Sequence, residues 1–200
     1  MFLPKLREIK EALTSFFSAP YTTKFPAKPD TESDAYRGFP RYDESVCVGC
    51  GTCAQVCPSL AIEISDDPGN RTRTLQVDFG SCIQCGQCEE KCITETGIKN
   101  TPFYSVAVTD LKAPEVFESV KKDLVLCECC GEIIACRDHL KWIKERLGAK
   151  AYAHPNLLLR TQEDFSEPAP AKPKSRIRRE DQIKYVCGRC RQKITVADEF

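Results

Sequence analysis

An excess of charge of either sign is missing from this sequence: Lys and Arg together number 29, and so do Asp and Glu. No long-range field therefore selects nucleic acid or a strongly charged substrate. Long apolar runs are missing too. Every uninterrupted hydrophobic stretch falls far short of the roughly 18 residues that a membrane-spanning helix needs, so any membrane role is expected to be peripheral. The first residues hold no charged region followed by an apolar one and a small-residue cleavage site, which points to a reducing, cytoplasmic setting. Histidine is scarce, His139 and His154 being the whole supply, and a lone histidine is more often a surface polar group than a ligand. The sequence contains no phosphate-binding loop, no Ser/His/Asp arrangement and no flavin or nicotinamide fingerprint, so no catalytic constellation is expected.

Cysteine, by contrast, is abundant, at 14 of 200 residues, which without a secretory signal reads as metal binding. Eight of them form two quartets of identical spacing, C-x2-C-x2-C-x3-C: Cys47, Cys50, Cys53 and Cys57, then Cys82, Cys85, Cys88 and Cys92, with Pro58 following the first. Three cysteines at intervals of three wrap a loop around the corners of a cubane, and the fourth leaves on a short helix. Bacterial-type ferredoxins hold 4Fe-4S clusters with this run, and in two-cluster versions the fourth cysteine of each run ligates the other cluster. The expected ligand sets therefore cross: Cys47, Cys50, Cys53 and Cys92 for cluster 1, and Cys82, Cys85, Cys88 and Cys57 for cluster 2. Gly49, Gly51, Thr52, Gly86 and Gln87 are small or turn-compatible residues that let backbone approach the sulfurs, where N–H groups can tune a cluster's potential. Zinc sites use paired knuckles with four ligands in all, and disulfide frameworks belong to short secreted chains, so neither explains two identical quartets.

Upstream, Phe2, Leu3, Leu6, Ile9, Leu13, Phe16 and Phe17 recur at intervals of three and four, the period of a one-sided apolar helix over residues 2–17. Such a helix packs on its own core, docks on a partner or lies at a membrane surface. Residues 18–42, with Pro20, Pro26, Pro29 and Pro40, read as an extended strap. Between and after the quartets, residues 60–64 and 74–78 alternate as strands, with turn chemistry at 66–70. Each half offers a cysteine loop, a short helix and a strand, an internal repeat that implies a pseudo-twofold core. Ile93 stands where a proline commonly follows the fourth cysteine. Residues 101–108 read as extended, and 114–122 as a helix starting at Pro114.

Beyond residue 123 the composition changes. Residues 123–126 are strand-like, Cys127-Glu128-Cys129-Cys130-Gly131 forms a knuckle, 132–135 can return antiparallel, and 137–147 reads as an amphipathic helix ended by Gly148. Cys187-Gly188-Arg189-Cys190 is a second knuckle, after a proline-rich loop at 166–175 and among basic residues. Cys127, Cys130, Cys187 and Cys190 are the expected four-thiolate site for one zinc, or for iron in a rubredoxin-like setting. Either Cys129 or Cys136 could replace Cys127.

The sum of these parts, with Arg37-Gly38-Phe39-Pro40 ahead of the first cysteine loop, resembles the two-cluster polyferredoxin subunit shared by respiratory complex I, as its subunit I, and by energy-converting membrane-bound nickel-iron hydrogenases. The cysteine-rich tail is similar to that of the formate hydrogenlyase subunit. The resemblance implies an α+β chain: a bacterial-type two-cluster ferredoxin fold with an N-terminal amphipathic helix and a zinc-ribbon or rubredoxin-like extension. The expected segments are 1–42 (docking helix and strap), 43–110 (cluster domain) and 111–200 (extension, with a flexible loop near 166–182). It also implies a non-catalytic electron-transfer subunit, peripheral on the cytoplasmic face. Its expected partners are the hydrogenase single-cluster small subunit and large subunit, an upstream electron donor, and a membrane-arm subunit contacted by the helix. A complex I-type subunit is the alternative, ahead of a free ferredoxin or a zinc-ribbon regulator.

Overall fold

The computed structural model describes residues 5–22, 24, 27–28, 33, 35–163 and 184–196, divided into two compact units, residues 1–34 and 35–200. In the first, helix α1 (Leu6–Phe17) forms as the apolar period predicts. The Glu8 carboxylate accepts the Lys5 backbone N–H at 3.0 Å, capping the first turn, and Arg7 pairs with Glu11 one turn on. None of its residues is buried; Leu6 is 87% exposed and Phe16 82%. Phe2 and Leu3 of the expected helix lie outside the described residues.

The second unit grows from the repeat. Each cysteine loop runs into a one-turn helix, α2 (Thr52–Gln55) and α3 (Gln87–Glu90). Gly51 and Gly86 precede them at φ 80° and 79°, left-handed values that glycine adopts at least cost. Strand β1 (Pro40–Tyr42) pairs antiparallel with β4 (Ile98–Asn100), setting Pro40 opposite Asn100 and Tyr42 opposite Ile98. This ribbon closes one side of the core, in which Phe39 stacks on Phe79 at 4.7 Å.

A second sheet has the order β2 (Ile62–Asp67), β3 (Thr72–Asp78), β5 (Phe117–Leu126), β6 (Ile133–Cys136), every pair antiparallel. The strand expected from Leu60 begins at Ile62 instead, because Leu60 turns the chain at φ 54° with its side chain 81% exposed. Asp66 and Asp67 belong to β2, and the Asp67 carboxylate accepts the N–H groups of Gly69 and Asn70 to build the turn.

The helix expected over residues 114–122 is a correction. A single 3-10 turn (Pro114–Val116) is followed by strand β5. Val116, Val120 and Leu124 are spaced by four, which suits one face of a helix but, being even, also one face of a strand. All three are buried, at 2, 4 and 4% exposure, and the pairing Leu75 to Val120 across the sheet settles the choice.

β5 pairs with β3 from Phe117 to Asp123 and with β6 from Leu124 to Leu126, so the extension starts as a strand of the sheet that backs the cysteine loops. Helix α4 (Arg137–Leu147) ends at Gly148 as expected. It packs with α5 (Pro155–Glu163) over a core of Val125, Leu140, Ala151, Leu157 and Tyr185. The second knuckle runs into helix α6 (Gly188–Val196) rather than into a strand of a ribbon. The loop expected at 166–182 falls outside the described residues.

Leu75 is 1% exposed and packs with Val120 and Cys47. Leu75→Ala should cost about 2–5 kcal/mol, read as a lowered urea midpoint of the anaerobically prepared holoprotein.

Candidate iron-sulfur and metal centres

Two small cavities lie inside the second unit. One is lined by Cys47, Cys50, Cys53 and Cys92, together with Tyr42 and Ile98 from the far end of the ribbon. The other is lined by Cys57, Cys82, Cys85 and Cys88, with Pro40 and Asn100 from the near end. The fourth cysteine of each run thus faces the cavity of the other run. The repeat extends to the polar groups around them. Two residues past the fourth cysteine stands a hydroxyl, Ser59 Oγ at 3.6 Å from Cys57 Sγ and Thr94 Oγ1 at 3.3 Å from Cys92 Sγ.

Electrostatics bear on what the cavities can hold. Burial pushes the Cys47 and Cys82 thiols up, and takes Cys53 to about 11 and Cys88 to about 12. Cys57 differs: burial raises it, but the Ser59 hydroxyl and the backbone N–H groups of Ala61, Ser59 and Ile62 together hold it below the usual thiol value. Converging thiols that burial keeps protonated become thiolates when a cationic iron core takes up their charge. Soft donors in fours, lining a largely apolar pocket, fit a 4Fe-4S cluster in each cavity.

Each loop is also held from outside by an arginine. Arg73 Nη1 donates to the Gly49 carbonyl at 3.1 Å while its other nitrogens hold Asp66 at 2.7 and 2.8 Å. Arg37 Nη1 donates to the Cys85 carbonyl at 3.3 Å. Gly49 receives a second lock: the Cys136 thiol, fully buried, donates to the same carbonyl at 3.3 Å. Tyr42 places its hydroxyl 3.7 Å from Cys53 Sγ. Sequence reading singled out none of Arg73, Tyr42 or Cys136 for these roles. The internal repeat could have pointed to the hydroxyls, but nothing local announces a contact such as Cys136 to Gly49 across 87 residues.

The tail brings Cys127, Cys130, Cys187 and Cys190 together, with the four Sγ atoms within 4.8 Å of one another. Cys127 follows β5 directly, and the Cys187 backbone N–H donates to its sulfur at 3.3 Å. Burial acts against the Cys127 thiolate, yet N–H groups from Cys187, Cys130 and Cys129 outweigh it and bring the thiol down to about 7. Of the two cysteines left open as substitutes, Cys129 is buried with Val186, Cys190 and Ile194, and Cys136 is engaged at Gly49. His139 packs beside Trp142, and His154 is exposed. Neither histidine joins the quartet.

Residues 46–96 match the family described as a 4Fe-4S dicluster domain. Over 115 residues the chain is 30% identical to NADH-quinone oxidoreductase subunit I 2 of Geobacter metallireducens, covering 54% of this chain and 87% of that protein. Over 97 residues it is 30% identical to NAD(P)H-quinone oxidoreductase subunit I of Gloeobacter violaceus, covering 46% of each. Among solved structures, a chain of the membrane-bound sulfane sulfur reductase, an archaeal respiratory membrane complex, aligns at a TM-score of 0.38 and 27% identity, over 55% of this chain and 59% of that one.

Gly49 sits at φ 70°, and a Cβ there would lie 2.7 Å from Cys136 Sγ and 3.1 Å from Lys122 Cβ. Gly49→Ala should therefore disturb the Cys47 to Cys50 turn. Low-temperature EPR of the reduced protein should show the signal of the cluster beside this loop diminished and the other intact. Equal loss of both signals would mean that the damage is global.

Proposed function

The chain belongs to the subunit I family of the NADH-quinone oxidoreductases, and from that membership we propose that it is the wire of a larger oxidoreductase assembly. It is an iron-sulfur electron-transfer subunit. We assign one cluster to Cys47, Cys50, Cys53 and Cys92 and the other to Cys82, Cys85, Cys88 and Cys57. The single observation that carries the assignment is the pair of cavities, each lined by three cysteines of one run and the fourth of the other. Each cluster, when bound, supplies a one-electron couple. The chain's own residues supply fixed thiolate positions, hydrogen bonds to sulfur and exclusion of water, so that little has to rearrange when charge arrives.

Residues 43–110 carry the clusters in this reading, 1–42 dock the subunit and 111–200 form a metal-stabilised extension. No helix among the described residues is long and apolar enough to cross a membrane, and α1, with its exposed apolar side chains, is the segment proposed to meet a membrane-arm subunit, the chain itself lying peripherally on the cytoplasmic face. The tail quartet is assigned one zinc, which has no redox chemistry, with rubredoxin-like iron as the alternative. The cysteine-rich extension favours a membrane-bound hydrogenase of the formate hydrogenlyase type, with the single-cluster small subunit, the large subunit and an upstream donor as neighbours. Coverage of 87% of the Geobacter relative favours the second reading, a complex I-type quinone reductase.

Mild affinity purification with identification of the bound subunits separates the two: nickel with a hydrogenase large subunit supports the first, and a quinone-site subunit without nickel supports the second. Recovery of the chain as a free monomer would overturn both.

Cys57→Ser should damage the cluster shared with Cys82, Cys85 and Cys88, leaving the EPR signal that Cys50→Ser removes. Loss of the same signal in both variants would refute the crossed assignment. Cys187→Ser with Cys190→Ser should release one tail metal ion per chain, measured by elemental analysis, and loosen assembly while both cluster signals persist. If that variant assembled fully and lost electron transfer, the tail site would be a relay.

A further inference from the structure

The ribbon β1–β4 presents one polar side chain to each cavity, and the two are not equivalent. At the Tyr42 end, the hydroxyl already has a sulfur within 3.7 Å, Cys53 Sγ. At the Asn100 end, both Nδ2 and Oδ1 of the amide are buried and neither has a hydrogen-bond partner, although Asn100 lines the cavity of Cys57, Cys82, Cys85 and Cys88. The backbone of Asn100 is held in the ribbon: its N–H donates to Glu89 Oε2 at 3.1 Å, and it stands opposite Pro40 in the register with β1. The side chain is therefore pinned in place with its donors unspent, an arrangement that proteins rarely leave uncompensated.

We propose that the Asn100 amide donates a hydrogen bond to sulfur of the cluster held by Cys57, Cys82, Cys85 and Cys88, and that this bond sets its potential above the value the same cage would give without it. The inference rests on the ligand reading of that cavity. A loaded site faces the amide with acceptors only, thiolate sulfur and bridging sulfide, so Nδ2 is the atom that turns toward it. An N–H donor stabilises the added negative charge of the reduced core more than it stabilises the oxidised one, which makes reduction easier. Cluster 1 receives its polar contact from a hydroxyl aimed at a ligand thiol, so the two sites of the repeat carry different hydrogen-bond sets and different driving forces.

Redox titration of the full-length holoprotein, followed by EPR with the signals assigned through Cys57→Ser and Cys50→Ser, tests this. Asn100→Leu removes the donor at similar size. It should make reduction of the Cys57-containing cluster about three- to tenfold less favourable, as expected for losing one hydrogen bond, where tenfold is about 59 mV for a one-electron couple. Asn100→Asp keeps the shape even if the leucine variant folds poorly, and it adds a negative charge, so its midpoint should fall further. Cluster 1 should keep its midpoint in both. Unchanged potentials in two-cluster variants would overturn the inference while leaving the ligand reading intact. Loss of the same signal in Cys57→Ser and Cys50→Ser would overturn the ligand reading and the inference with it.

Discussion

Convergence of thiolates sets the terms for the rest of this chain. Four sulfurs drawn to one point repel one another once charged, and burial, together with that repulsion from neighbouring cysteines, pushes Cys53 and Cys88 up to about 11 and 12. Each quartet is therefore stable as thiolates only around a cationic centre, and binding that centre is part of the folding free energy. The surrounding structure meets the same demand from the protein side. Backbone N–H groups and hydroxyls face the sulfurs, as at Cys57, while arginines take the carbonyls that must point the other way, as Arg73 does at Gly49 and Arg37 at Cys85. A carbonyl turned outward leaves its peptide N–H side free to face inward, so the outer arginine and the inner hydrogen bond are two ends of one geometric requirement.

This requirement explains what the sequence made legible. Ligand spacing is dictated by the size of a cubane, so the eight cysteines stand out without any fold in hand, and the fold gathers three of each run with the fourth of the other around one cavity. The left-handed N-caps Gly51 and Gly86 follow from the same tight turn. The tail quartet was readable for a similar reason, since two C-x2-C knuckles restrict what four thiols can do. Gly148 ended α4 where helix chemistry said it should.

The parts that were not legible are those decided at long range. Val116, Val120 and Leu124 carry a spacing that both a helix and a strand accept, and only the open edge of β3 selects the strand. Arg73 lies just ahead of the strand expected at 74–78, and its role appears once β3 places it over a carbonyl 24 positions earlier in the chain. Cys136 reads in sequence only as a possible substitute for Cys127, because its partner, the Gly49 carbonyl, is supplied by a loop that no local pattern connects to it. Asn100 is silent in sequence for the opposite reason: what marks it is a missing partner, visible only when every neighbouring donor and acceptor has been placed.

The path of β5 ties the extension to the clusters. Its first seven residues complete the sheet behind the Cys47 loop, its last three pair with β6, and Cys127 of the tail quartet follows at once. β6 then ends in Cys136, whose thiol returns to the Gly49 carbonyl. Lys122 of β5 adds a second tether, donating to the Glu44 carbonyl just ahead of the first quartet and to Asp138 of α4. A strand paired on both edges cannot shift register without turning its buried face outward, so the position of the tail knuckle and the position of the first cluster loop are set by one and the same strand. The extension is in this sense a brace: its own core anchors the far end of β5, and the near end of that strand fixes the turn on which Cys47 and Cys50 sit.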